Sequence, residues 1–186
     1  MHTPTQLIQE FSSGNRSALN QLFELIYEEL HTLARCQRSR WNGLETLDTT
    51  ALLHETYLKI WKNESSHIEN RRHFLALAAK AMRQILINYA EMKMAEKRGG
   101  KAEFVYDEEL NFIADEHAAG ELLDLNQVLE QLEKADKRQA QVFECRFFGG
   151  MTVEDTAFAL DISPATVKRD WQTACNTIYN KVKSES

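Results

Sequence analysis

The sequence predicts an all-α protein of two small helical domains joined by an acidic linker. Three observations carry that expectation. Apolar residues recur at helical spacing along most of the chain. The 186 residues include only 7 glycines and 2 prolines, too few for a turn-rich all-β protein. The pair Gly99-Gly100, followed by an acidic stretch with few regularly spaced apolar residues, separates two helical blocks. The expected division is 1–98 for the first domain, 99–120 for the linker and 121–186 for the second domain.

Leu22, Ile26, Leu30 and Leu33 fall on one face of a stretch that starts near Ser17, a residue suited to cap a helix. In LDTTALLHETYLKIWK, Leu53, Tyr57, Ile60 and Trp61 keep the i, i+4, i+7, i+8 pattern, with the adjacent pair Thr49-Thr50 at the expected helix start. Phe74, Leu77, Ala78, Ala81, Ile85 and Tyr89 form a third stripe, and Leu125, Val128, Leu129 and Leu132 a fourth. FVYD at 104–107 is too short and isolated to read as a strand. In the second domain Val142, Phe143, Phe147 and Phe148 are expected in the core.

Composition excludes several classes. No apolar run approaches the ~18 residues of a membrane span. The start, MHTPTQLIQEFSS, lacks the basic-then-apolar order of a secretory signal. Cys36, Cys145 and Cys175 sit apart in helix-like stretches, which points to a reducing cytoplasm rather than a disulfide framework. The 6 histidines and 3 cysteines show no metal-site spacing, so no metal and no cofactor is expected. No nucleophile with a base and an orienting acid emerges, so an enzyme is not expected.

The net charge of -6 conceals a segmental pattern. Residues 68–102 carry 8 basic and 3 acidic side chains, net +5, whereas 103–136 carry 1 and 11, net -10. Salt screens charges beyond about 8 Å, so local sign matters more than the total. The basic segment suits a nucleic-acid backbone, and the acidic stretch 103–120 is expected to shield it in the free chain.

Residues 151–182 follow helix-turn-helix grammar. Thr152 can cap a short helix, with Asp155 three residues on. Ala157 is small where a second helix would cross, and Leu160-Asp161-Ile162 makes a tight connection. Ser163-Pro164 then supplies a cap and a first-turn proline. Ser163, Thr166, Lys168 and Arg169 at the start of the second helix are the candidates for phosphates and base edges. Val167, Trp171, Ala174 and Ile178 would face inward.

Taken together, LLHETYLKIWK and VFECRFFGGMTVEDTAFALDISPATVKRDWQ resemble a sigma factor of the sigma-70 family, extracytoplasmic-function type, over nearly the whole chain. The resemblance implies binding to core RNA polymerase, recognition of specific promoters and opening of the −10 region. The helix through LLHETYLKIW would pack on the β′ clamp helices, with Asp48, Thr49, Thr50, His54, Glu55, Lys59 and Lys62 as contacts. Arg71, Arg72, Lys80, Arg83 and Asn88 would hold the −10 element, and the loop Asn63–Asn70 lies where relatives hold a flipped base. Ser163, Thr166, Lys168 and Arg169 would read the −35 element. The partners implied are core polymerase through its β′ clamp helices and β flap, promoter DNA, and a Ser/Thr kinase or an anti-sigma factor, with no membrane. The alternatives are a conventional helix-turn-helix regulator with a helical sensor domain and an all-α adaptor.

Two departures from the family pattern stand out. Relatives place carboxylates in an Asp-Ala-Glu-Asp-like pattern where this chain reads Asp48-Thr49-Thr50-Ala51. Phosphorylation of Thr50 or Thr49 would restore the missing negative charge. Asp161 stands where a glycine often forms the reader's turn, and aspartate tolerates positive φ better than most residues.

Overall fold

The computed structural model describes residues 3–41, 47–62, 68–97 and 109–185. Among them it is all-helical: α1 Pro4–Ser12, α2 Ser17–Leu25, α3 Tyr27–Arg40, α4 Thr49–Lys62, α5 Arg71–Lys97, α6 Glu109–Ala135, α7 Lys137–Phe143, α8 Val153–Leu160 and α9 Pro164–Glu185. A π-helical turn, Glu144–Phe148, continues α7. Helix α6 starts at Glu109, so the second half of the expected linker is helical. The rest of that linker through residue 108, the FVYD segment and residues 63–67 of the base-holding loop lie outside the described residues.

Local chemistry sets the boundaries. Thr3 and Gln6 close a reciprocal capping box on α1, with Pro4 in its first turn. Ser17 is the first residue of α2 rather than its cap; the Asn15 side chain accepts from the Ser17 amide and hydroxyl instead. The stripe through Leu22, Ile26, Leu30 and Leu33 is buried throughout, but the backbone turns at Ile26 (φ -115°, ψ 21°), splitting it into α2 and α3. Asp136 separates α6 from α7 and caps the latter through the Gln139 amide.

Helices α1 to α5 pack as one bundle, and α6 to α9 as a second unit. In the first, Phe23 meets Tyr57 and Phe74 edge to face, at 5.0 and 5.8 Å between ring centres. In the second, Phe143 stacks on Phe147 and Trp171, at 4.9 and 5.5 Å. The two units are not separate in space. Helix α5, about 40 Å long at 1.5 Å per residue, also packs against α6, α8 and the π turn. One continuous cluster of buried side chains runs from Leu7 through α5 to Ile178.

That double packing is written in α5. Ala78 and Ala79, Ala81 and Met82, and Ile85, Leu86 and Ile87 are all buried. Neighbouring residues on a helix point about 100° apart, so such runs cover most of its circumference. The expected single stripe captured only part of this surface.

The π turn shapes the join. The Gly149 amide donates to the Glu144 carbonyl and the Met151 amide to that of Cys145. A Cβ on Gly149 would stand 2.5 Å from the Cys145 carbonyl oxygen, so glycine is required there. Gly120, inside α6, has nothing within 4 Å of an added Cβ and no such constraint. Urea unfolding should therefore find Gly149→Ala less stable by about 1–3 kcal/mol. Gly120→Ala should be more stable by about 0.5–1 kcal/mol.

Candidate nucleic-acid interface

The first residues of α4 differ from the expected arrangement. Asp48 is the cap: its carboxylate accepts the Ala51 amide at 2.7 Å and its carbonyl the Leu52 amide at 3.0 Å. Thr49 and Thr50 are therefore the first two helical residues, and neither hydroxyl makes the cap. Thr50 is exposed and Thr49 half-buried. Leu52, Leu53, Thr56 and Ile60 are buried, with the Thr56 hydroxyl donating back to the Leu52 carbonyl. His54, Glu55 and Lys62 are exposed on the other side and Lys59 is half-buried. Leu58 lies exposed among them, an apolar contact point that the apolar periodicity left out.

The helix-turn-helix segment is assembled as its sequence directs. Thr152 caps α8 through the Asp155 amide. Asp161 takes φ 53°, ψ 48°, the left-handed conformation that ends α8, and Ile162 then donates to the Ala157 carbonyl. The Ser163 hydroxyl accepts the Thr166 amide at 3.1 Å and pairs with the Thr166 hydroxyl at 2.9 Å. Lys168 and Arg169 stand exposed on the first turns of α9, and Arg169 keeps 68% of its side chain accessible. Val167, Ala174 and Ile178 are buried and Trp171 is half-buried. Behind them Asp170, 2% exposed, is held by Arg138, whose guanidinium it raises in pKa by hydrogen bonding and attraction. A helix start thus projects hydroxyls and two cations from a fixed base, the geometry a major groove accepts.

The basic residues of α5 are placed differently. Arg71 pairs with Glu29 of α3, and Asn88 is exposed. The other three candidates face the second unit. Arg72 binds Asp155 of α8 and lies over the Phe158 ring, 4.7 Å from its centre. Lys80 reaches Glu133 of α6 at 3.5 Å. Arg83, only 4% exposed, donates to Glu144 of the π turn at 2.6 Å and to the Asn126 side-chain oxygen. The sequence pattern did not reveal these partners. Their signal is isolation: Arg83 is a lone charge in AMRQILI, and Glu144 stands in the apolar run VFECRFF.

Next to this join, the Gln37 amide donates to the Phe148 carbonyl at 2.8 Å, and Arg40 donates to that of Phe147 while lying over its ring. Cys145 is buried, and its thiol is pushed up to about 12 by burial and by the neighbouring Glu144 carboxylate, which keeps it protonated and unreactive. Cys175 is half-buried and Cys36 exposed. Among the described residues no three His, Cys, Asp or Glu side chains gather as a metal site, and no helix is long and apolar enough to cross a membrane.

Arg72 and the Thr152 hydroxyl hold the Asp155 carboxyl below the usual aspartate range, Arg72 being the larger influence. A lowered carboxyl pKa stabilises the contact above the free-aspartate pKa, and that stabilisation is lost as pH falls through the lowered value. An NMR titration should place the Asp155 midpoint below that of a free aspartate, and Arg72→Ala should move it upward.

Comparison with known proteins bears directly on this geometry. The family model described as ECF sigma factor matches residues 1–184. No curated protein and no solved structure matches the chain. With a family match over almost its full length, the chain belongs to the ECF sigma factors, which bind RNA polymerase and direct initiation at specific promoters.

Proposed function

We propose that residues 1–98 form the module that binds core polymerase and opens the −10 region, and residues 121–186 the module that reads the −35 element. The carrying observation is the α9 start: Ser163 as cap, Thr166 beside it, and Lys168 and Arg169 projecting into solvent. Arg71, Arg72, Lys80, Arg83 and Asn88 are the −10 contacts in this reading. Unpaired bases are captured without bond-making, so the chain itself performs no catalysis.

The polar face of α4 is the candidate contact for the β′ clamp helices, through Asp48, His54, Glu55, Lys59 and Lys62, with exposed Leu58 supplying an apolar centre. An open apolar groove of about 650 Å³, lined by Leu125, Phe143, Phe147, Trp171 and Ile178 among others, is the candidate seat for the β flap. These partners place the chain in the cytoplasm, beside polymerase and DNA.

Control by a Ser/Thr kinase at Thr50 or Thr49 is part of the same reading. Because Asp48 already caps α4, the capping role that would otherwise explain two adjacent threonines is filled. A phosphate on the first turn would add about -1.5 to -2 charges, facing exposed amides and the positive end of the helix. An anti-sigma factor is the other candidate regulator.

The direct test is reconstitution with core polymerase and a genomic promoter library. Promoter-specific transcripts that depend on this chain are expected. Duplex binding by the chain alone as a dimer, with no transcript even after kinase treatment, would replace the reading with a conventional regulator. Lys168→Ala should weaken promoter binding about equally across sequences and lower the salt slope by about 1. Thr50→Glu and the phosphorylated chain should bind core polymerase about two- to tenfold more tightly than Thr50→Ala. Equal affinities would remove the kinase from the account.

A further inference from the structure

Asp170 is an acidic residue on the core-facing stripe of α9, where Val167 and Ala174, a turn away on either side, are buried. Only 3% of its side chain is accessible, so water cannot balance its charge. Two guanidiniums meet it. Arg138, at the start of α7, donates from Nε to Oδ2 at 2.5 Å and reaches Oδ1 with Nη2 at 3.4 Å. Arg169, its neighbour on α9, brings Nε to 3.5 Å from Oδ1. Arg138 thus grips both oxygens as a fork, the stronger arrangement, while Arg169 makes the looser approach.

We infer that Arg138 is a positioning residue for promoter recognition: by claiming the buried Asp170 carboxylate, it leaves the neighbouring Arg169 guanidinium to the DNA. This rests on the reading of α9 as the helix that meets the −35 element.

The competition follows from geometry. Adjacent residues on a helix do not face each other. Arg169 could take over Asp170 only by folding its side chain back toward the core, off the exposed stripe that it shares with Lys168 and Gln172. Without Arg138 the carboxylate would make that claim, because a buried charge left unpaired is costly. Arg138 is well placed to prevent it. It comes from a different helix, and Asp136, the α7 cap, adds its attraction to the same guanidinium. The apolar cluster at this end of α9 is small, with Val142, Ala157 and Val167 as its buried members, so one polar contact weighs more here than in the main core. A guanidinium also matches the two acceptors that guanine shows in the major groove, which is where an unclaimed Arg169 would act.

The test uses core polymerase reconstituted with the full chain. The template is a promoter from the genomic library, beside copies with its −35 segment or its −10 segment scrambled. The preference for each segment is the ratio of transcript from the intact promoter to transcript from the scrambled copy. Arg169→Ala should lower the −35 preference about fivefold or more, the smaller end of what one base contact discriminates. Arg138→Met should lower it by a similar factor, and adding Asp170→Asn to Arg138→Met should restore most of it. The −10 preference should hold throughout, and a parallel fall in it overturns the inference. An Arg138 that only supports the fold would lower transcript from every template and leave the −35 preference intact, which also overturns it. A double variant as weak as Arg138→Met does the same, because Arg138 would then be touching DNA itself. An Arg169→Ala chain that keeps its −35 preference removes the reading of Arg169, and the inference with it. If Arg138→Met loses its helical circular dichroism, NMR of the arginine Nε–H groups in the unaltered chain decides. Titration with the −35 duplex must then shift Arg169 and leave Arg138 in place; movement at Arg138, or none at Arg169, overturns the proposal.

Discussion

Helix α5 imposes the constraint on which the rest depends: it is apolar around most of its circumference and cannot be satisfied by one neighbour. A helix with a single apolar stripe can sit at the edge of a bundle, with its other side in water. Here α1, α3 and α4 cover one part of α5, and α6, α8 and the π turn cover another. Ala78, Ala79 and Ala81, small at neighbouring positions, leave room for such close approach. Arg83 sits inside this sandwich, so its charge must be matched locally, and Glu144 is the match. The position of the second unit follows from the needs of one helix in the first.

The same constraint gives the charge distribution a structural meaning. A chain of net charge -6 that works on DNA looks contradictory until its charges are located. Cations gather on α5 and at the start of α9, where they have different fates. Arg72, Lys80 and Arg83 of α5 meet carboxylates of the second unit, whereas Lys168 of α9 is exposed and Arg169, 68% accessible, lies 3.5 Å from Asp170 of its own helix. Within the free chain these carboxylates offset the field of the α5 cations.

Much of this was legible in the sequence, and the exceptions share a cause. Caps and turns are local, so Thr152, Asp161 and Ser163 were readable from a few residues of context, down to the left-handed conformation at Asp161. The core stripes of the bundle were readable because helical spacing alone determines them. Cap assignment failed by a residue or two where several polar residues compete: Asp48 outcompetes Thr49-Thr50, and Asn15 outcompetes Ser17. The break at Ile26 leaves the apolar stripe intact, so periodicity is blind to it. The pairing of Arg83 with Glu144 joins residues 61 positions apart, and no local pattern encodes such a distance.

The π turn has a consequence of another kind. By placing an extra residue in one turn, it shifts the phase of the side chains that follow α7. Phe143 and Phe147 stack as an ordinary i, i+4 pair would, yet Phe148 also returns over Phe143, at 6.4 Å. The turn closes at Gly149, and the chain leaves the helix through Gly150 at φ 59° on its way to α8. Chain length at the π turn therefore works as a setting of angular position: it decides how the Phe147 and Phe148 carbonyls are aimed at Arg40 and Gln37 of the first bundle.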